Sequence, residues 1–220
     1  MKLSKETIAI LKNFSTINSH LLIKEGSKLS TISAQKNVMA SVSVAETFPN
    51  EFGIYDLNEF LAAMSLFEDP DLDFQEKFVS IKEGKNSIRY YGADAANITA
   101  PPAKQISLPS EDVTFKLTAS NLSMIQKTAS VLRSSDVSIV GDSSTLKVVV
   151  ADKKNATANA YEVELGTIDS TFRVNLKVEN LKMIPGDYDV AISSKRISRF
   201  QSGSSDLVYY VAVEADTTFA

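Results

Sequence analysis

Gly84-Lys85-Asn86-Ser87-Ile88-Arg89-Tyr90-Tyr91 and Gly203-Ser204-Ser205-Asp206-Leu207-Val208-Tyr209-Tyr210 share the pattern Gly-x-x-x-[Ile/Leu]-x-Tyr-Tyr about half a chain apart. Each reads as the turn and returning strand of a hairpin. Upstream of each hairpin a strand runs into a short helix. Residues 52–56 precede a helix expected over 57–67, and residues 172–176 precede one expected over 177–184, stopped by Pro185-Gly186. Further upstream each half opens on a longer helix. Leu3, Ile8, Leu11, Phe14 and Ile17 mark the first, behind a possible Ser4 cap, and Leu122, Ile125, Ala129 and Leu132 mark the second. Strands expected at 21–23 and 37–45 follow the first helix, and strands at 137–140, 145–151 and 159–165 follow the second. One matching octapeptide could arise by chance, but a whole series of elements in one order marks an internal repeat.

Between the halves lies Ala100-Pro101-Pro102-Ala103-Lys104-Gln105-Ile106-Ser107-Leu108-Pro109-Ser110. Its three prolines favour an extended connector with few ladder hydrogen bonds. The expected division is therefore an N-terminal domain over 1–103, a connector over 104–110 and a C-terminal domain over 111–220. Each half is an α+β unit of mainly antiparallel sheet, with two helices on one face. The length of 220 residues suits two such units.

Composition closes off several kinds of chemistry. There is no Cys and a single His, His20, so neither a disulfide framework nor a Cys/His zinc site can be assembled. Residues 1–6 are charged and no run of about 18 apolar residues occurs, which predicts a soluble cytoplasmic protein that meets no membrane. Gly84-Lys85-Asn86-Ser87 and Gly141-Asp142-Ser143-Ser144 lack the frame of a phosphate-binding loop. Asp69, Asp71 and Asp73 alternate as in a calcium loop, but Phe74 stands where the turn glycine belongs, and they read as solvated turn residues. No metal, cofactor or catalytic residue is expected.

The net charge of −4 argues against a nucleic-acid partner until its distribution is considered. Segment 1–18 holds Lys2, Lys5 and Lys12 against Glu6, and segment 119–135 holds Lys127 and Arg133 against no acid. The positive charge sits on two helical stretches of an otherwise acidic chain.

The wording of the chain then becomes specific. Met1-Lys2-Leu3-Ser4-Lys5-Glu6-Thr7, Ile54-Tyr55-Asp56-Leu57-Asn58, Lys182-Met183-Ile184-Pro185-Gly186-Asp187-Tyr188 and Tyr210-Val211-Ala212-Val213-Glu214-Ala215-Asp216 resemble the processivity clamps of T-even-type bacteriophages. The resemblance implies two tandem DNA-clamp domains and a homotrimeric ring whose helices line a hole for duplex DNA. It implies a DNA polymerase as client, loading by an ATP-driven clamp loader, a role in late transcription, and the cytoplasm of the infected bacterium as location.

A clamp must hold DNA without reading it, which calls for sequence-independent phosphate attraction. Lys2, Lys5, Ala9, Lys12 and Thr16 form one helical stripe, Lys127 and Arg133 lie on the repeat-equivalent helix, and Lys177 and Lys182 lie on the last helix beside Glu179. Any solvated helix can carry lysines, so the acid-poor pairing of two repeat-equivalent helices carries this reading. Ring closure consumes sheet edges. The expected edges hold Tyr90 and Tyr161, which serve equally well as core aromatics. Partner peptides of clamps dock near the connector, where Ile106, Leu108 and Pro109 are apolar, with Met39, Val211 and Val213 as neighbours by resemblance. Ile106 and Leu108 could equally pin the connector to its domain. The rival reading is a structural protein that oligomerises through its β edges and has no DNA role.

Overall fold

Ser4 starts the first helix, as the spacing predicts. Its Oγ accepts the Thr7 N–H at 3.2 Å, and α1 (Lys5–Ile17) follows, burying Thr7, Leu11 and Phe14 on one face. The structure, a computed structural model, describes residues 1–102, 106–155 and 157–219. Of the expected domain boundary, Ala103, Lys104 and Gln105 lie outside the described residues. The chain divides into two compact units, Met1–Gln105 and Ile106–Ala220, so Ile106, Leu108 and Pro109 go with the second.

In the first unit α1 is followed by β1 (Leu21–Ile23), β2 (Gly26–Ile32), β3 (Val38–Phe48), β4 (Phe52–Ile54), α2 (Leu57–Met64), β5 (Asp71–Phe74), β6 (Phe78–Glu83) and β7 (Asn86–Tyr91). All pairings within it are antiparallel: β1 with β4, β2 with β3, and β5, β6 and β7 in series. Asp56 caps α2 by accepting the Asn58 and Glu59 N–H groups. The helix stops at Met64 rather than reaching residue 67, because the Ser65 hydroxyl donates back to the Ala62 carbonyl and Pro70 lies just ahead. Asp71 and Asp73 are strand residues rather than turn residues. They alternate because Leu72 and Phe74 between them are buried, the period of two that a half-buried strand imposes.

The second unit contains β8 (Val113–Leu117), α3 (Ala119–Leu132), β9 (Asp136–Asp142), β10 (Thr145–Val150), β11 (Tyr161–Thr167), β12 (Thr171–Lys177), β13 (Tyr188–Ser193), β14 (Ile197–Ser202), β15 (Val208–Ala212) and β16 (Thr218–Phe219). One antiparallel series runs β11, β10, β9, β12, β16 and another runs β8, β13, β14, β15. The helix expected over 177–184 is a single 3-10 turn, Val178–Leu181. Two causes act at its ends. Lys177 still belongs to β12, paired with Asp136, and offers no side-chain cap where α2 has Asp56. Pro185 then pushes Ile184 out of the helical region. The Gln126 amide donates to the Leu181 carbonyl at 2.7 Å and ties the turn to α3.

The Tyr-Tyr pairs of the repeat have a physical role. The first tyrosine of each pair turns inward. Tyr90 meets Phe60 edge to face at 5.2 Å and donates its hydroxyl to the Asp56 carbonyl at 3.0 Å. Tyr209 is fully buried and its hydroxyl accepts the Ile184 N–H at 3.2 Å. In both units that hydroxyl pins one end of the second helical element.

Candidate nucleic-acid interface

On the solvent side of α1, Lys5, Ala9, Lys12 and Thr16 form an exposed stripe at i+3/i+4 spacing, opposite buried Leu11 and Phe14 and flanked by exposed Glu6. Among the described residues Lys5 and Lys12 make no ion pair. Lys2 differs from the expectation. It precedes the helix, and its ammonium is bound to Asp69, which raises its pKa. The carboxylate missing from the local sequence arrives from another part of the unit. Two lysines, rather than three, therefore present unpaired charge along this stripe.

What fixes α1 is a residue that local sequence could not reveal. Glu46, on β3, accepts the Ser4 N–H and the Thr7 hydroxyl. Burial would raise its carboxyl, but these hydrogen bonds outweigh it and leave the pKa below the ordinary value. With the Ser4 cap, this satisfies groups that a helix start leaves open. The second unit repeats the device. Thr118 caps Asn121 N–H at 3.2 Å, and Asp187 from the Pro185-Gly186-Asp187 turn accepts the Ala119 N–H at 2.7 Å.

On α3 the exposed residues are Ser120, Met124, Lys127, Ser130 and Val131, the last 80% exposed. Arg133 lies beyond the helix, at its C-cap in the left-handed region with φ 51°, its side chain exposed. Lys177 is engaged elsewhere. It donates to the Asp136 carboxylate at 2.7 Å, and Lys153 stands 3.6 Å from the same oxygen. Burial would raise the Asp136 carboxyl, but Lys177 and Ser135 hold it low, which makes this a fixed internal pair. Lys182 is exposed just past the 3-10 turn. Lys5, Lys12, Lys127 and Arg133 thus remain available as phosphate contacts.

The residues expected around a partner pocket separate into two groups. Val211 and Val213 are buried. Ile106 and Leu108 are half-buried and Pro109 is exposed. Met39 is half-buried on β3, opposite Ile32. The edges likewise sort themselves. Among the described residues β7 pairs only with β6 and β11 only with β10. Tyr90 on β7 is half-buried, against Phe60. The aromatic that this edge exposes is Tyr91, 65% accessible and 5.8 Å from Phe78. Tyr161 on β11 is half-buried. Among the described residues no three His, Cys, Asp or Glu side chains converge as a metal site requires, and no helix is long and apolar enough to cross a membrane.

Residues 4–100 match the family model described as DNA polymerase processivity factor, and residues 108–215 match that of the C-terminal domain of the gp45 sliding clamp. The sliding clamp of Vibrio phage KVP40 is 33% identical over 98% of this chain and all of its own length. That of Enterobacteria phage T4 is 29% identical over 99% of both. Among solved structures, the proliferating cell nuclear antigen of Entamoeba histolytica superposes with a TM-score of 0.71 over 97% of each chain at 13% identity, a likeness of fold.

Proposed function

This chain belongs to the sliding-clamp family of phage DNA polymerase processivity factors, and on that premise we propose that three copies close into a ring around duplex DNA and tether the polymerase to it. The observation that supports DNA contact most directly is the α1 face. Lys5 and Lys12, about two turns apart on one exposed stripe, are held on a helix whose start is fixed by Ser4 and Glu46. Such a stripe attracts phosphate without reading bases, so the ring slides. Lys127 and Arg133 of the second unit are further candidate phosphate contacts. The ring performs no catalysis, and its contribution to synthesis is topological. A closed ring needs an ATP-driven loader to open it, and the same surface serves a late-transcription partner, all in the cytoplasm of the infected host. Client peptides dock on the accessible apolar side chains of Ile106, Leu108 and Pro109.

Light scattering over a concentration series tests the ring. The expected species has three times the 24.0 kDa chain mass. Retention on nicked circular DNA, with release when the circle is linearised, tests the topology. A monomer at every concentration would overturn the ring, and equal retention on circles and linear fragments would overturn the encirclement.

A further inference from the structure

Just past the connector the chain sets one of its own carboxylates on an arginine of the sheet. Ser110 donates to the Asp112 carboxylate at 2.7 Å and lies 2.7 Å from the Ser193 hydroxyl. Asp112 accepts the Ser194 N–H at 2.7 Å and donates its own N–H to the Ile192 carbonyl at 2.9 Å. Residues 110 and 112 are thereby tied to β13 and the turn after it. Glu111 between them pairs with Arg199 on β14, Oε1 to Nη2 at 2.8 Å. Arg199 stands opposite Tyr210 on β15, and Ile197 stands opposite Ala212. These four are half-buried, whereas Ser198 and Val211 between them are buried, so the four share the more open face of the sheet. The Arg199 Nε is buried and has no hydrogen-bond partner among the described residues. At the turn before β14, Lys195 and Arg196 are exposed and make no ion pair among the described residues.

Resting on the client-docking reading above, we propose that Arg199 binds an acidic side chain of the client, and that Glu111 is an internal substitute which the client displaces. Leu108 is three residues from Glu111, at most about 10 Å along an extended chain. A peptide lying on Ile106 and Leu108 therefore reaches Arg199. The guanidinium offers a carboxylate two parallel donors, Nε and Nη2. Glu111 meets Nη2 and leaves Nε without a partner. A client carboxylate that takes both completes the fork, and the cations at 195 and 196 favour an acidic segment over a neutral one. Glu111 also makes the face selective. While it holds the guanidinium, the apparent affinity of every client is reduced, and only a client that brings a carboxylate recovers the loss.

Titration of the labelled phage polymerase with the intact chain, followed by fluorescence anisotropy, tests the substitution. Glu111→Gln frees Arg199 and should tighten binding by about threefold to tenfold, a gain that no folding defect produces. Arg199→Gln should weaken binding by about tenfold, and Arg199→Glu by more, because it repels an acidic group. Glu111→Gln added to Arg199→Gln should change nothing further, since both act on one contact. Unchanged or weaker binding by Glu111→Gln would mean that the pair only braces the connector, and the inference would fall. Leu108→Ala separates it from the reading on which it rests. If that change weakens the polymerase while the Glu111 and Arg199 variants bind as wild type does, this inference alone is overturned. If all of these variants bind as wild type does, docking at the connector is overturned with it.

Discussion

Helices α1 and α3 open the two repeats and begin in the same way, yet their solvent faces differ in kind. Each has a hydroxyl N-cap, Ser4 or Thr118, and each has a carboxylate delivered from a distant turn or strand, Glu46 or Asp187. Each buries a stripe at the same spacing, with Leu11 and Phe14 on one and Leu122, Ile125 and Ala129 on the other. Outside, α1 shows Lys5, Ala9, Lys12 and Thr16 with Glu6 at its flank, whereas α3 shows Met124, Lys127 and Val131 with Ser120 and Ser130. The repeat retains what folding demands of a helix start and a packed face. The outer face is free to differ, so the two units should hold DNA unequally, with α1 dominant.

Reversing the lysines of each helix is the most direct way to break that comparison. Lys5→Glu with Lys12→Glu should reduce retention on circular DNA by roughly a hundredfold at moderate salt, and Lys127→Glu by only about threefold. The plot of log retention against log salt should flatten by about 0.9 for each phosphate that is no longer neutralised. Equal losses from the two helices would refute the dominance of α1.

The shared helix starts come next in size. Glu46→Gln removes the charged acceptor from Ser4 and Thr7 and should cost about 1–2 kcal/mol of stability. Asp187→Asn, at a single exposed hydrogen bond, should cost under about 1 kcal/mol. The Glu46 contribution also has a pH signature. Its folded pKa lies below the ordinary 4.5, so the stabilisation is complete above that value and is lost as pH falls through the folded value. Denaturation by urea at pH 7 and at pH 3 should show the Glu46→Gln deficit shrinking in acid. A deficit that grows in acid would reverse the assigned sign.

These acceptors also mark the limit of what the linear sequence discloses. The duplicated α+β plan, the Ser4 cap and the Gly-x-x-x-[Ile/Leu]-x-Tyr-Tyr hairpins are local or periodic features, and they are legible. Glu46 caps a helix about 40 residues upstream of itself, Asp69 neutralises Lys2, and Asp136 occupies Lys177. No local pattern encodes such partners. The strand Val38–Phe48 is only partly visible because small Ala and Ser side chains blur its alternation. The helix expected over 177–184 fails for a related reason, since its apolar spacing resembles that of 57–67 but its missing cap and the following proline decide the outcome.

Arg133 sharpens the comparison at a smaller scale. α1 ends on Asn18 in extended backbone, whereas α3 ends on an arginine in the left-handed region, where a side chain is strained and glycine is not. Arg133→Gly should therefore raise stability by about 0.5–1 kcal/mol while slightly weakening retention on DNA. A thermal melt together with the retention assay separates the two effects. If stability falls instead, the guanidinium contributes packing that outweighs the backbone strain.

The smallest expected change tests the comparison in the opposite direction. Val131 is 80% exposed and one turn beyond Lys127, so a lysine there would extend the cation row of α3 without disturbing its buried face. Replacing valine in a helix also relieves a β-branched side chain, so Val131→Lys should leave stability unchanged or improve it by a few tenths of a kcal/mol. If the outer face of α3 lines the same path of phosphates as α1, the salt slope of retention should steepen by about 0.9, and affinity at low salt should rise about threefold. A slope that stays fixed would mean that α3 does not meet the DNA backbone at that turn. The weak charge of its outer face would then follow from its position rather than from a tolerance for apolar residues at the DNA surface.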